Sequence, residues 1–237
     1  DWDDALVVSA HGRDPRKALA AALAHPKAAI LTAPGTAAGL ARDLHAAGKR
    51  VYAVELIGTP EEKVSVLPAE TGLADPNILI ALDPDDAPGP PRWLAGHPGA
   101  PDGWALPEDA FEHRDSMITK PEVRALVLAR LGPAPGRTIW DVGAGSGSVA
   151  VECARFGAWV IAIESDPAQC EKIRGNAERH HVRLRVHQGG APEALIGLPP
   201  ADAVFAGGGD HAVLATAIRL ASPRTVVVTL AACLEDA

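Results

Sequence analysis

Seven residues, Asp141-Val142-Gly143-Ala144-Gly145-Ser146-Gly147, close an apolar run and lead directly into a helical pattern. Glycine accepts positive φ and lets a ligand approach the backbone closely. A helix start adds unpaired N–H groups and the positive end of a dipole, which together suit an anionic group. Asp141, at the strand end, can face an ammonium. The next apolar run ends in Ile163-Glu164-Ser165-Asp166. Glu164 falls about 20 residues past the loop, where an acidic side chain takes both hydroxyls of a ribose. Strand, glycine loop, helix, strand and terminal acid in this order predict a nucleoside cofactor. A tight turn followed by a solvated acid is the competing reading.

The glycine spacing narrows the cofactor. Dinucleotide loops follow G-x-G-x-x-G. Here the glycines are 143, 145 and 147, and residue 148 is Ser. Asp-x-Gly-x-Gly-x-Gly is the spacing usual in class I methyltransferases, so S-adenosylmethionine is expected, its carboxylate at the helix start. A dehydrogenase is the minor alternative. Two further loops follow later strands. Gly189-Gly190-Ala191 is placed to border the adenine. Gly207-Gly208-Gly209 leaves open space beside the methyl group, with a flexible turn as the alternative. Upstream, Glu112 to Lys120 precedes a helix, and Arg114, Lys120 and Arg124 would bring positive charge to the cofactor mouth. A solvated helix entry with ion pairs accounts for them equally well. His180 and His181 close a charged helix and are expected to face solvent. Neither H-E-x-x-H nor C-x-x-C occurs, and no metal is assigned.

These residues require elements to hold them. Helices are predicted at Pro121 to Leu131 (with Thr119 as its cap), Ser148 to Arg155, Pro167 to Arg179, Ala191 to Leu195 and His211 to Leu220. Strands are predicted at Thr138 to Val142, Trp159 to Ile163, Leu184 to His187, Ala203 to Ala206 and Thr225 to Leu230. Their alternation describes a doubly wound parallel sheet. The earlier part of the chain reads as an α/β piece with a mixed sheet. Its strands are Ala5 to Val8, Ala28 to Leu31, Val51 to Leu56, Val64 to Leu67 and Asn77 to Leu82, and its helices Pro15 to Ala24 and Thr36 to Ala47. Between the two parts, Asp83 to Gly103 is dense in proline and glycine, as an interdomain linker would be. The predicted domains are 1–82 and 106–237, joined by 83–105.

The totals bound the function. The chain has 237 residues, enough for two domains, and a formal net charge of -8, which excludes a general attraction to nucleic acid or anionic membrane. Three cysteines with no close pair argue against a disulfide framework and fit a reducing cytoplasm. No apolar run reaches the length of a membrane span. The opening Asp1-Trp2-Asp3-Asp4 is neither a start methionine nor a signal peptide, so a fragment or a processed product is expected.

Taken in order, Ser116-Met117-Ile118-Thr119-Lys120-Pro121-Glu122-Val123-Arg124, the glycine loop, Ala191-Pro192-Glu193-Ala194-Leu195 and Phe205-Ala206-Gly207-Gly208-Gly209 resemble the decarboxylating precorrin methyltransferases of cobalamin biosynthesis, the precorrin-6B C5,15-methyltransferases. The likeness runs from Leu106 to about Leu230. Independently, Ser9-Ala10-His11-Gly12-Arg13, Leu31-Thr32-Ala33-Pro34-Gly35-Thr36, Val54 to Glu62 and Asp75-Pro76-Asn77-Ile78 resemble the later half of a tetrapyrrole methylase domain, which precedes the second domain in the fused members of that family. The resemblance implies S-adenosylmethionine-dependent methylation of a precorrin at C5 and C15 with decarboxylation of an acetate side chain. The second domain's relatives methylate C15 and decarboxylate. The candidate cofactor-binding residues are Thr119, Asp141, Gly143, Ala144, Gly145, Gly147, Glu164, Ser165, Gly190 and Ala191. The substrate-proximal set is Arg114, Lys120, Arg124, Gly207, Gly208 and Gly209.

The chain departs from the family in three places. The glycine-rich half of the tetrapyrrole methylase domain is missing, so no cofactor site is expected in the first domain. Family members often carry an acid where Gly190 stands. Two further strands usual in class I methyltransferases have no counterpart before Ala237, which would leave a raw sheet edge. A precorrin substrate is the expected partner, nucleic acid and membrane are not, and a homo-oligomer is compatible with the sequence. The alternatives are a class I methyltransferase acting on another substrate and a non-catalytic cofactor-binding fragment.

Overall fold

The computed structural model describes residues 5–67, 73–75, 77–84, 103–114 and 118–230. The chain divides into two compact units, Asp1–Ala100 and Pro101–Ala237. Most of the expected linker, from 85 to 102, lies outside the described residues, as do Pro76, Ser116, Met117 and Cys233.

In the first unit, β1 (Leu6–Ser9), α1 (Pro15–Leu23), β2 (Lys27–Leu31), α2 (Ala37–Ala46), β3 (Arg50–Glu55), β4 (Lys63–Leu67) and β5 (Asn77–Leu82) follow one another. The strands form a mixed sheet in the order β1-β2-β5-β3-β4, and the β1–β2 pair is parallel. Asp14 caps α1 by accepting from the Arg16 N–H, with Pro15 at the first helical position, as capping and fixed φ favour. Small residues (Ala18, Ala22, Ala28, Ala53 and Ala81) fill the core between helices and sheet. Thr32 donates its hydroxyl to Asn77 Oδ1 at 2.6 Å, and Asn77 donates to Asp75. Two motif segments far apart in sequence therefore meet.

The second unit runs α3 (Pro121–Leu131), β6 (Thr138–Val142), α4 (Ser148–Arg155), β7 (Trp159–Glu164), α5 (Pro167–Arg179), β8 (Arg185–Gln188), β9 (Ala203–Ala206), α6 (His211–Leu220) and β10 (Val226–Thr229). Its sheet is parallel throughout, in the order β10-β9-β6-β7-β8. The chain winds outward from β6 through β7 to β8, then crosses to β9 on the other side of β6. A ligand crevice opens at the carboxyl ends of the strands at such a reversal. Apolar strands buried on both faces explain the continuous Ile, Val and Ala runs. Ile139 packs with Val149 and Cys153 of α4 on one face, while Trp140 and Val142 pack with Val213 and Ala217 of α6 on the other.

Two local expectations are corrected. Ala191 to Leu195 is not an α-helix but a single 3₁₀ turn, Glu193–Leu195, because the stretch between Pro192 and Gly197 is too short to propagate an α-helix. The cap of α3 is Lys120 rather than Thr119, and no side chain bonds there. A lysine side chain has no acceptor to offer the first turn, and the Thr119 carbonyl accepts from Arg124. Among the described residues no helix is long and apolar enough to cross a membrane.

Candidate active site

The glycine loop lies at the crossover. Gly143, Gly145 and Gly147 all have positive φ (71°, 56° and 76°), which β-carbon-bearing residues rarely adopt. Each glycine meets a different surrounding. A Cβ on Gly143 would stand 3.2 Å from the Cα and N of Gly208, so two glycine backbones touch where β6 and β9 end. A Cβ on Gly147 would stand 3.0 Å from Ile173 of α5. Gly145 faces open space. The loop is therefore packed at both ends and free at its middle. Its entrance is fixed by the Ile163 carbonyl, which accepts from Gly143 and Ala144 N–H at 3.0 and 3.1 Å.

Glu164 stands at the end of β7 beside this loop. One carboxylate oxygen accepts from the Gly145 N–H at 2.8 Å, and the other from Ser165 and Asp166 N–H at 2.8 and 2.9 Å. Ser165 thus contributes its backbone to orienting Glu164. A carboxylate offers about four lone-pair sites, so the side chain keeps accepting capacity while its rotamer is locked.

Asp141 is the least expected arrangement. Its side chain is buried and shares the face of β6 with Ile139, toward α4. Neither carboxylate oxygen has a hydrogen-bond partner. Burial raises its pKa from the usual carboxylate range to about 7, and the Glu164 charge pushes the same way. The Ala150 N–H of α4 favours the anion, more strongly than Glu164 opposes it, although it stands outside hydrogen-bonding geometry. An unpartnered buried acid normally costs stability. Here it sits directly before the loop.

The other loops separate by role. Gly207 and Gly209 have steric reasons of their own. A Cβ on Gly207 would lie 2.7 Å from the Phe205 ring, and one on Gly209, with φ of 114°, 2.8 Å from Val213. Gly208 has no such reason, since its nearest neighbour would be the Gly143 Cα at 4.0 Å. Gly190 faces open space, while Ala191 packs against the core beside Leu195.

The upstream cations part company. Arg124, expected beside a substrate, is fully buried. It donates to Glu152 at 3.0 Å and to the carbonyls of Leu106 and Thr119, and it lies 4.9 Å over the Phe111 ring. A guanidinium presents five donors in a rigid fork, which suits collecting several carbonyls inside a fold. Arg114 and Lys120 remain half exposed, Arg114 at 3.5 Å from Asp166 and Lys120 at 2.8 Å from Glu108. His180, expected in solvent, is held at 2.8 Å from the Ala110 carbonyl and against Phe111. Among the described residues no cluster of His, Cys, Asp or Glu could hold a metal. Burial pushes the Cys153 thiol well up, so it is a core residue rather than a nucleophile.

Two residues that do much of the positioning escape sequence reasoning. Glu152, fully buried, accepts from Arg124, Arg155 and the N–H groups of Ala105 and Leu106. Asn176 of α5 bonds both to Glu112 and to the glycine loop. Their signals were present but faint: an acid inside the apolar stretch Val149 to Cys153, and an Asn inside a helix, where it is a poor former.

Comparison with known proteins agrees with this geometry. The sequence profile described as precorrin methyltransferase domain matches residues 109–237. A Sinorhizobium protein named precorrin-6Y C(5,15)-methyltransferase (decarboxylating) is 38% identical over 87% of this chain and 50% of its own length. The chain thus spans half of that relative. A Pyrobaculum aerophilum protein named probable cobalt-precorrin-6B C(15)-methyltransferase (decarboxylating) is 36% identical over 61% of this chain and 75% of its own length. The crystal structure of the C-terminal domain of precorrin-6Y C5,15-methyltransferase from Rhodobacter capsulatus superimposes with a TM-score of 0.52 at 42% identity, over 55% of this chain and 72% of that one. With the parallel sheet, the crossover loop and the profile match in agreement, the chain belongs to the precorrin methyltransferase domain family.

Proposed function

We propose that this chain binds S-adenosylmethionine at the glycine loop and methylates a precorrin macrocycle at C5 and C15 with loss of carbon dioxide from an acetate side chain. The C15 step and the decarboxylation belong to the second unit, whose Pyrobaculum relative carries the C(15) name and is covered over 75% of its length. The observation that carries the reading is the unpartnered, buried Asp141 set directly before a loop whose middle glycine is open. The residues present fit the cofactor. The helix start of α4 suits its carboxylate, Asp141 its ammonium, and the locked Glu164 its ribose hydroxyls.

When bound, S-adenosylmethionine supplies an activated methyl electrophile. The chain's own contribution is position and charge. A cation beside Asp141 draws it to the anion and relieves the cost of its burial. Gly208 leaves a gap at the loop edge for a carbon nucleophile to approach, and close alignment alone supplies much of a rate enhancement. Arg114 and Lys120 are exposed cations of the kind that hold substrate carboxylates. The conjugated macrocycle takes up the electron pair released with carbon dioxide, a proton from solvent then completes the shortened side chain, and no protein acid or base is assigned. We place the protein in the cytoplasm, without nucleic-acid or membrane partners.

The test is product analysis with methyl-labelled S-adenosylmethionine and a precorrin substrate. The expected product has gained label and lost a carboxyl group. Label passing only to another acceptor would move the assignment to a different substrate class. Cofactor binding with no transfer to any acceptor would reduce the chain to a binding fragment.

A further inference from the structure

The segment Gly103 to Arg114 is held to the rest of the second unit by several polar contacts, and one of them reaches the glycine loop. Asn176 is buried, with 1% of its surface exposed. Its Oδ1 accepts from the Glu112 N–H at 2.7 Å, and its Nδ2 donates to the Glu112 carbonyl at 2.9 Å. This carboxamide pairs with one backbone residue as a neighbouring strand would. The second Nδ2 hydrogen goes to the carbonyl of Ser146, inside the loop, at 2.9 Å. Both donors are used, and each meets a carbonyl. One turn earlier on α5, Ile173 fills the space against Gly147, and Lys172 pairs with the Glu112 side chain at 2.5 Å. One face of α5 therefore carries the loop and the upstream segment together.

We propose that Asn176 is a positioning residue for the methyl-donor loop, tying the loop at Ser146 to the upstream segment at Glu112. The inference rests on the reading of the loop as the S-adenosylmethionine site. An isolated purpose in holding the upstream segment would need only the two bonds to Glu112. The third bond fixes the carbonyl between Gly145 and Gly147, so the loop's peptide orientation depends on a side chain outside it. A buried carbonyl deprived of its donor is costly and turns toward whatever donor or water it can find.

The experiment compares Asn176→Ala, Asn176→Asp and Lys172→Ala with the parent chain, by calorimetric titration with S-adenosylhomocysteine and by hydrogen exchange of residues 143–147. Lys172→Ala removes only the exposed ion pair to Glu112. The expected result is an affinity loss of about tenfold or more for both Asn176 variants, with faster exchange in the loop, and a change under about twofold for Lys172→Ala. Asn176→Asp has the same shape but sets a carboxylate against two carbonyls. Its affinity should recover on acidification, as the carboxyl gains a proton to donate. Folding of this variant at acid pH keeps the test available if Asn176→Ala does not fold. Parent-like affinity and exchange in folded Asn176 variants would overturn the proposal. A parent chain that binds no S-adenosylhomocysteine would instead overturn the reading of the loop, while unchanged loop exchange would overturn the tie itself.

Discussion

Two fully buried carboxylates lie on one strand–loop–helix unit, and they are treated in opposite ways. Glu152 on α4 is saturated by two guanidinium groups and two backbone N–H groups. Asp141 on β6 has no bonding partner at either oxygen. Satisfying a buried charge this fully serves the fold, because the acid then anchors the upstream segment to α4. Leaving a buried acid unpaired burdens the fold, and a burden kept beside an open loop suits a ligand that completes it. The same contrast divides the cations. Arg124 is spent internally on Glu152, while Arg114 and Lys120 stay at the surface.

The contrast can be broken by mutation. Glu152→Ala should cost the most, about 3–5 kcal/mol, because it strands Arg124 in the core. Denaturant unfolding measures it, and a loss under about 1 kcal/mol would make the network incidental. Asp141→Asn should act in the opposite direction on the ligand-free protein. The folded pKa of Asp141 is raised from 3.8 to about 7, so the folded state holds a proton that the unfolded state releases. Stability from this group is full below the unfolded pKa and falls as pH rises from about 4 to about 7. The Asn variant should therefore gain roughly 2–4 kcal/mol at pH 8 and little at pH 4, while binding S-adenosylmethionine more weakly. Equal melting shifts at both pH values would show that Asp141 is not a strained acid.

Smaller effects test the rim of the site. Glu164→Ala should lower S-adenosylmethionine affinity by about 100-fold in titration calorimetry, the cost of losing the ribose acceptor together with the orientation of Gly145. Unchanged affinity would remove the cofactor assignment. Gly208→Val should lower kcat by about tenfold with a smaller effect on cofactor affinity, since added bulk misplaces the nucleophile. Equal losses in both would place Gly208 at the cofactor instead. Lys120→Ala should change stability by less than about 0.5 kcal/mol, as an exposed pair does. Any larger consequence belongs in KM for the substrate.

Much of the fold was legible because its signals are local. Apolar runs of strand length, Pro15, Pro121 and Pro167 at helix starts, and glycines at 143, 145 and 147 each act within a few residues. What escaped was long-range. Arg124 read as a surface cation because its carboxylate partner is 28 residues away on another helix. His180 read as solvated because Phe111 and Ala110 reach it only through the fold. The substitution of one 3₁₀ turn for a helix at Glu193 to Leu195 followed from closely spaced punctuation that the apolar pattern concealed.

The sequence by itself determined the alternation of strands and helices, the glycine spacing of the loop and the acid at Glu164, since these depend on backbone freedom and on distance along the chain. The tertiary structure alone decided which charges are spent and which are kept. Burial is a property of all the elements packed around a residue, and it leaves Glu152 and Arg124 paired in the core and Asp141 unpaired beneath the loop.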